Sequence, residues 1–210
     1  MKITIVYDDE IYVPGLTADH GFSCLIETIN HRILFDAGAD GQILLHNLEK
    51  LEIEPRFDKI VISHNHWDHI GGLPDLLGVD GEVDVYTIGR PLRFHRLIEV
   101  SGPVEIVDGI YTTGGLGTFI KEQSLVVQSN QGWVVITGCS HPGLETILGV
   151  ASSFGDIYGI IGGFHGFSRY SLLENMKLIC PCHCTVHKRE IERLFPKSYV
   201  PCGVGRVIKI

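Results

Sequence analysis

Positions 63–72 read Ser-His-Asn-His-Trp-Asp-His-Ile-Gly-Gly, which sets His64, His66, Asp68 and His69 within six positions. Imidazole nitrogen and carboxylate oxygen are the usual donors of catalytic zinc sites and of related divalent-metal sites. Four such donors in so short a span can reach one or two cations from a single loop. A divalent metal lowers the pKa of bound water to about 7 and polarises a carbonyl or phosphoryl oxygen. Residues 63–72 therefore point to a metal site at the end of a strand.

A ligand loop is as accurate as the element that delivers it. Lys59-Ile60-Val61-Ile62 reads as a buried strand running straight into the motif, with Gly71-Gly72 behind it. The same order recurs three times. An apolar run at 133–137 ends in Gly138-Cys139-Ser140-His141, one at 157–161 in Gly162-Gly163-Phe164-His165, and one at 177–180 in Pro181-Cys182-His183-Cys184. Strand ends on one edge can converge on one cleft, so His141, His165 and His183 join the candidate metal ligands. His31, His46, His95 and His187 lack this placement and read as surface or satisfied core residues.

The remaining elements follow from apolar periodicity. Strands are predicted at 2–7, 22–28, 31–35, 83–88, 104–107, 110–113, 118–120, 124–128 and near 204–210. Helices are predicted at 41–51, 143–152 and 186–195, with a short one near 73–77. Strand-then-helix order in both halves predicts an α/β fold, two sheets covered outside by helices. A length of 210 residues suits one domain with a substantial core.

Bulk properties remove several function classes. A net charge of −8 argues against a general nucleic-acid-binding surface and leaves a small-molecule substrate. No apolar stretch reaches the length of a membrane span. The first strand-like run is broken by Asp8 and Asp9 too early for a signal peptide, so a cytoplasmic location is expected. The clustered cysteines fit reduced thiols. Cys180, Cys182 and Cys184 alternate; on a strand all three thiols would share one face with His183 on the other. Such a group binds zinc or an iron–sulfur cluster in a redox or metal-sensing protein, or else consists of small buried residues.

These residues together resemble the metallo-β-lactamase superfamily, whose His-X-His-X-Asp-His signature stands here at 64–69. Within it the chain is similar to the metal-dependent hydrolases of β-lactamase superfamily II, a group that includes dihydropteroate-synthase-related enzymes of methanopterin biosynthesis. The matching segments are Asp36-Ala37-Gly38, Asp19-His20-Gly21-Phe22-Ser23, Gly138 through Gly143, Gly162 through His165, His183-Cys184-Thr185 and Gly203-Val204-Gly205. They cover nearly the whole chain.

The resemblance implies a four-layer αββα sandwich with two divalent metal ions, zinc first, manganese or iron as alternatives. It implies His64, His66 and His141 on one metal, Asp68, His69 and His183 on the other, and His20 in contact with substrate. One departure stands out: His165 occupies the place where many members carry a bridging aspartate. His165 is then a further ligand or the acid that protonates a leaving group, and Asp68 a ligand or the group that orients the water. Asp36 is expected either to accept the outer N–H of a ligand histidine or to serve as a turn-forming aspartate before Gly38. Trp67 lines the substrate mouth or packs, and Asp8 and Asp9 read as ordinary polar loop residues. The implied activity is hydrolysis of a small ester, phosphoester or lactone. The alternative is a transferase joining a pterin to an aminobenzene-ribosyl phosphate.

Overall fold

The computed structural model describes residues 1–89 and 96–210; His95 lies outside them. In chain order the elements are β1 (Lys2–Tyr7), β2 (Ser23–Glu27), β3 (Arg32–Phe35), α1 (Gly41–Lys50), β4 (Lys59–Val61), α2 (Trp67–Ile70), α3 (Leu73–Val79), β5 (Asp84–Thr87) and β6 (Leu97–Glu99). They continue with β7 (Val104–Val107), β8 (Ile110–Thr112), β9 (Leu125–Ser129), β10 (Gly132–Thr137), α4 (Leu144–Ala151), β11 (Ile157–Gly163), β12 (Leu178–Cys182), α5 (Lys188–Leu194) and β13 (Val207–Lys209). The chain divides into two compact units, Met1–Val100 with Cys202–Ile210, and Ser101–Pro201.

The first unit is a seven-stranded sheet in the order β13-β1-β2-β3-β4-β5-β6. Strands β1 to β3 form an antiparallel meander. The β2–β3 turn closes on Thr28, whose Oγ1 accepts the N–H of Asn30 at 3.2 Å and of His31 at 2.9 Å. Strand β4 then pairs parallel to β3, with Phe35 opposite Val61. The residues that follow, Asp36 and Ile62-Ser63, therefore leave the sheet side by side. Helix α1 begins at Asp40, whose side chain accepts from the N–H of Gln42 and Ile43, a helix cap of the usual kind. Its buried Leu44 and Leu48 lie one turn apart and join Val6, Leu25, Leu34 and Ile60 in the core.

The second unit is a six-stranded sheet in the order β12-β11-β10-β9-β8-β7. Strands β10, β11 and β12 are parallel neighbours, with Thr137 opposite Gly162 and Gly163 opposite Cys182. Their C-terminal ends are thus aligned in one row. Pro181 lacks an N–H for the ladder and is tolerated because β12 is the edge strand. Leu144, Ile147, Leu148 and Ala151 of α4 pack on Val135 and Ile160 of the sheet.

Three expectations need correction. No strand forms at 118–120. Gly117 (φ +92°) turns the backbone there, and one pair of bonds between Leu116 and Glu122 closes a tight hairpin. The end of the histidine motif is helical, since α2 starts at Trp67. The six cysteines are not all thiols: Cys24, Cys139, Cys180 and Cys184 lie outside disulfides, whereas Cys182 and Cys202 are each disulfide-bonded.

Gly38 has φ +65°, and a Cβ there would sit 2.5 Å from the ring of fully buried Tyr7. Gly38→Ala combines backbone strain with overpacking and is expected to cost roughly 1–3 kcal/mol. A lowered urea midpoint at unchanged m-value is the measurement that checks it.

Candidate metal centre

In the first unit the ligand loop is organised by one carboxylate. Asp36 is fully buried, with φ +59°. Its Oδ1 accepts the Ser63 N–H at 2.6 Å, and its Oδ2 accepts the Ser63 hydroxyl at 2.7 Å. Oδ2 also lies 2.7 Å from His69 Nδ1. A carboxylate only accepts, so His69 carries its proton on Nδ1. Ser63 has a single hydroxyl proton, already given to Asp36. Its Oγ, 2.9 Å from His64 Nδ1, must therefore accept there, and His64 is protonated on Nδ1 as well. One buried carboxylate thus sets the tautomer of two histidines, and Nε2 is the atom of each that could ligate a metal.

The donors cluster accordingly. The ring of His64 lies 4.5 Å from that of His66 and 4.3 Å from that of His69, centroid to centroid. His69 Nε2 is 3.7 Å from Asp68 Oδ2. Two imidazoles presenting Nε2, a third imidazole and a carboxylate form a donor set that fits a zinc-like divalent cation. Glycines allow the close approach: a Cβ on Gly21 would meet the carbonyl of Asp68 at 2.5 Å.

His20 sits between two carboxylates, with Nδ1 3.0 Å from Asp9 Oδ2 and Nε2 3.4 Å from Asp68 Oδ2. Its ring is 5.8 Å from that of Trp67, which is 62% exposed and so does not serve as core packing. Asp9 also accepts the Gly21 N–H at 3.2 Å. Asp8 is buried and accepts the Glu10 N–H at 3.1 Å. Neither aspartate is the ordinary loop residue that its sequence context suggests. Tyr7 completes the support by donating to Asp19 at 2.7 Å and accepting the Asp40 N–H at 3.2 Å. Burial and the Asp19 bond push its phenol well above the ordinary value.

In the second unit, His141, His165 and His183 follow β10, β11 and β12, so three adjacent parallel strands deliver them at one sheet edge. The His141 and His165 rings are 5.3 Å apart. His183 is buried and His165 exposed. The three turns are tied sideways: Ser140 Oγ donates to the Gly163 carbonyl at 2.6 Å, and Gly163 N–H to the Gly138 carbonyl at 2.9 Å. Phe164 N–H donates to Thr185 Oγ1 at 2.9 Å, and Val186 N–H to the His165 carbonyl at 3.0 Å.

A second buried carboxylate stands behind the His141 turn. Glu122 Oε1 accepts the N–H groups of Gly138 (3.1 Å), Cys139 (3.0 Å) and Ser140 (3.0 Å) and the Thr137 hydroxyl (3.0 Å). Its Oε2 accepts the His141 N–H at 2.9 Å. Four consecutive N–H groups converging on an anion form a nest, occupied here by the protein's own side chain. Sequence reasoning missed Glu122, because nothing near position 122 signals a partner so far along the chain. It also passed over Ser63, although that residue opens the motif.

The cysteine alternation does not survive. Cys180 and Cys182 lie on β12, with sulfurs 3.8 Å apart. Cys184 lies beyond the strand end, after His183 at φ +44°. Hydrogen bonding with Cys139 and the charges of His183 and His165 bring its thiol down to about 6, against burial, which raises it.

Residues 31–106 match the family model of a beta-lactamase superfamily domain. The chain is 30% identical to an uncharacterized protein of Methanocaldococcus jannaschii over 99% of its own length and 100% of the relative's. It is 26% identical to the 7,8-dihydropterin-6-methyl-4-(beta-D-ribofuranosyl)-aminobenzene-5'-phosphate synthase of the same organism, over 98% of this chain and 95% of that one. Among solved structures, Tm1679, described as a metal-dependent hydrolase of the beta-lactamase superfamily, is 26% identical with a TM-score of 0.81, covering 100% of this chain and 99% of its own. The chain belongs to the metallo-β-lactamase superfamily and has its α/β sandwich fold. Divalent metals are commonly bound in that superfamily, and candidate ligand groups are present here. No helix of the described residues is long and apolar enough to cross a membrane.

Asp36→Asn replaces one of two accepting oxygens with a donor facing Ser63 or His69. A loss of about 2–3 kcal/mol in urea unfolding is expected, with cobalt affinity reduced roughly 10–100-fold in a spectrophotometric titration. Glu122→Gln is expected to lower stability by a similar amount, about 2–3 kcal/mol, because an amide cannot satisfy all five donors. Unchanged melting in Glu122→Gln would show that the nest is dispensable.

Proposed function

We propose that this chain is a cytoplasmic metal-dependent hydrolase of a small, anionic ester, phosphoester or lactone. In this proposal His64, His66 and His141 hold one divalent cation, and Asp68, His69 and His183 a second. The observation that carries it is the Ser63–Asp36 relay, which commits Nδ1 of both His64 and His69 and so presents Nε2 of each for ligation. A hydrolase among the similar solved structures supports the same class. Zinc suits an all-nitrogen-and-oxygen donor set, with manganese or iron as alternatives.

A bound divalent cation supplies Lewis acidity and lowers the pKa of water to about 7. The chain's own groups do the rest. Asp68 is a ligand where the second cation is held, and where it is not, Asp68 orients the attacking water or takes its proton. His20, with Nδ1 3.0 Å from Asp9 Oδ2 and Nε2 3.4 Å from Asp68 Oδ2, restrains that carboxylate and would meet a substrate through its ring. His165, exposed on its turn, is either a further ligand or the acid that protonates the leaving group. The net charge of −8 favours a small substrate over nucleic acid.

A second reading has its own support. One relative, matched over 98% of this chain and 95% of its own, is a synthase whose product carries a dihydropterin, an aminobenzene and a ribosyl phosphate. A transferase joining a pterin diphosphate to an aminobenzene-ribosyl phosphate would use the same donor set to orient phosphate.

Hydrolysis of a generic phosphodiester or ester by the purified protein, falling roughly 100-fold or more in His66→Ala, is the expected result. Pyrophosphate release only when pterin diphosphate and acceptor are supplied together would instead establish the transferase. Elemental analysis of wild type and His165→Ala counts the metals. Two per chain in both proteins would rule out a ligand role for His165.

A further inference from the structure

The hairpin between β8 and β9 belongs to none of the ligand turns, yet it is built onto one of them. Leu116 and Glu122 exchange two backbone bonds of 2.9 Å at its base. Leu116 is anchored in the core of the second unit, and the Glu122 side chain holds the His141 turn. Gly117, at φ +92°, lets the tip fold tightly on itself, since a Cβ there would meet the Ile120 carbonyl at 2.6 Å, and the same position lies in van der Waals range of Pro142, the residue after His141. The tip is thereby fixed relative to His141.

At that tip Phe119 is fully exposed and Ile120 more than a third exposed. The two line a cavity of about 470 Å³ together with His141, Pro142 and Thr146. Phenylalanine in water gains nothing for the fold, and no core contact requires it there. Its place is beside a candidate ligand, on the rim of a cavity large enough for a fused aromatic ring system.

We propose that the tip at 117–120 is a specificity element, with Phe119 and Ile120 receiving an aromatic or apolar group of the substrate beside His141. This rests on the proposed substrate site at His141 but not on whether the reaction is hydrolysis or transfer. A planar group can stack on Phe119 while an anionic group on the same molecule faces the ligand histidines.

The probe is 2-naphthalenesulfonate, aromatic, anionic and inert to hydrolysis, followed by its fluorescence on the purified protein, with methanesulfonate as a non-aromatic competitor. Saturable binding to wild type is expected, weakened about five- to tenfold in Phe119→Ala, largely kept in Phe119→Tyr, and displaced poorly by methanesulfonate. Ile29→Ala removes an equally exposed hydrophobe from the β2–β3 turn and should bind as wild type does. No saturable binding to wild type, or equal binding by Phe119→Ala, overturns the proposal. So does self-association in sedimentation that Phe119→Ala abolishes while probe binding stays, because Phe119 would then be an interface residue. Phe119-dependent binding in a protein that hydrolyses no ester would keep this inference and discard the hydrolase reading.

Discussion

A carboxylate cut off from water must be answered by donors, and the ligand loop of the first unit is built around answering Asp36. Its partners are the Ser63 N–H, the Ser63 hydroxyl and His69 Nδ1. Each of these bonds also fixes something the site needs: where the loop leaves β4, which way the Ser63 proton points, which nitrogen of His69 is protonated. The tautomer of His64 then follows from a proton count. Glu122 repeats the device in the second unit, where four successive N–H groups leading to His141 end on its two oxygens. In the first unit the negative charge stands directly behind His69 and, through Ser63, behind His64, an arrangement that raises imidazole basicity toward a cation, whereas Glu122 in the second unit fixes the backbone that carries His141.

Much of this was legible in the sequence. The 64–69 motif is contiguous, so residue types alone reveal it, and the strands before each histidine turn are long apolar runs. Asp36 was expected as the partner of a ligand histidine because it follows a strand, and parallel pairing of β3 with β4 is what brings it to Ser63 and His69. What was not legible depends on pairings distant along the chain or on backbone conformation. Glu122 reaches the 137–141 turn from 15 to 19 positions away, through the return of β9 along β10. The Cys180–Cys184 alternation presumed an extended backbone at His183, which is left-handed there. The run at 118–120 has strand-forming residues, but Gly117 closes it into a hairpin tip.

Left-handed backbone recurs in the three histidine-bearing turns of the second unit and at Asp36 behind the histidine motif of the first. Asp36 (φ +59°), Ser140 (+64°), His165 (+49°) and His183 (+44°) are four of the five non-glycine residues with positive φ among the described residues. Each costs on the order of 1 kcal/mol or more, and such strain persists only where neighbours over-determine it. The cross-ties do that: Ser140 to Gly163, Phe164 to Thr185, Val186 to the His165 carbonyl. Glycines at 162 and 163 leave room for these bonds, since a Cβ at either would collide with the neighbouring turn.

The cross-ties among the turns consist entirely of protein groups, so the strain is carried whether or not a cation is present. Loading such turns calls for no folding step. For a cation that the proposed site would hold, shedding its own water would remain a cost of entry. Magnesium, which dehydrates reluctantly, is for that reason disadvantaged before affinity is ever compared.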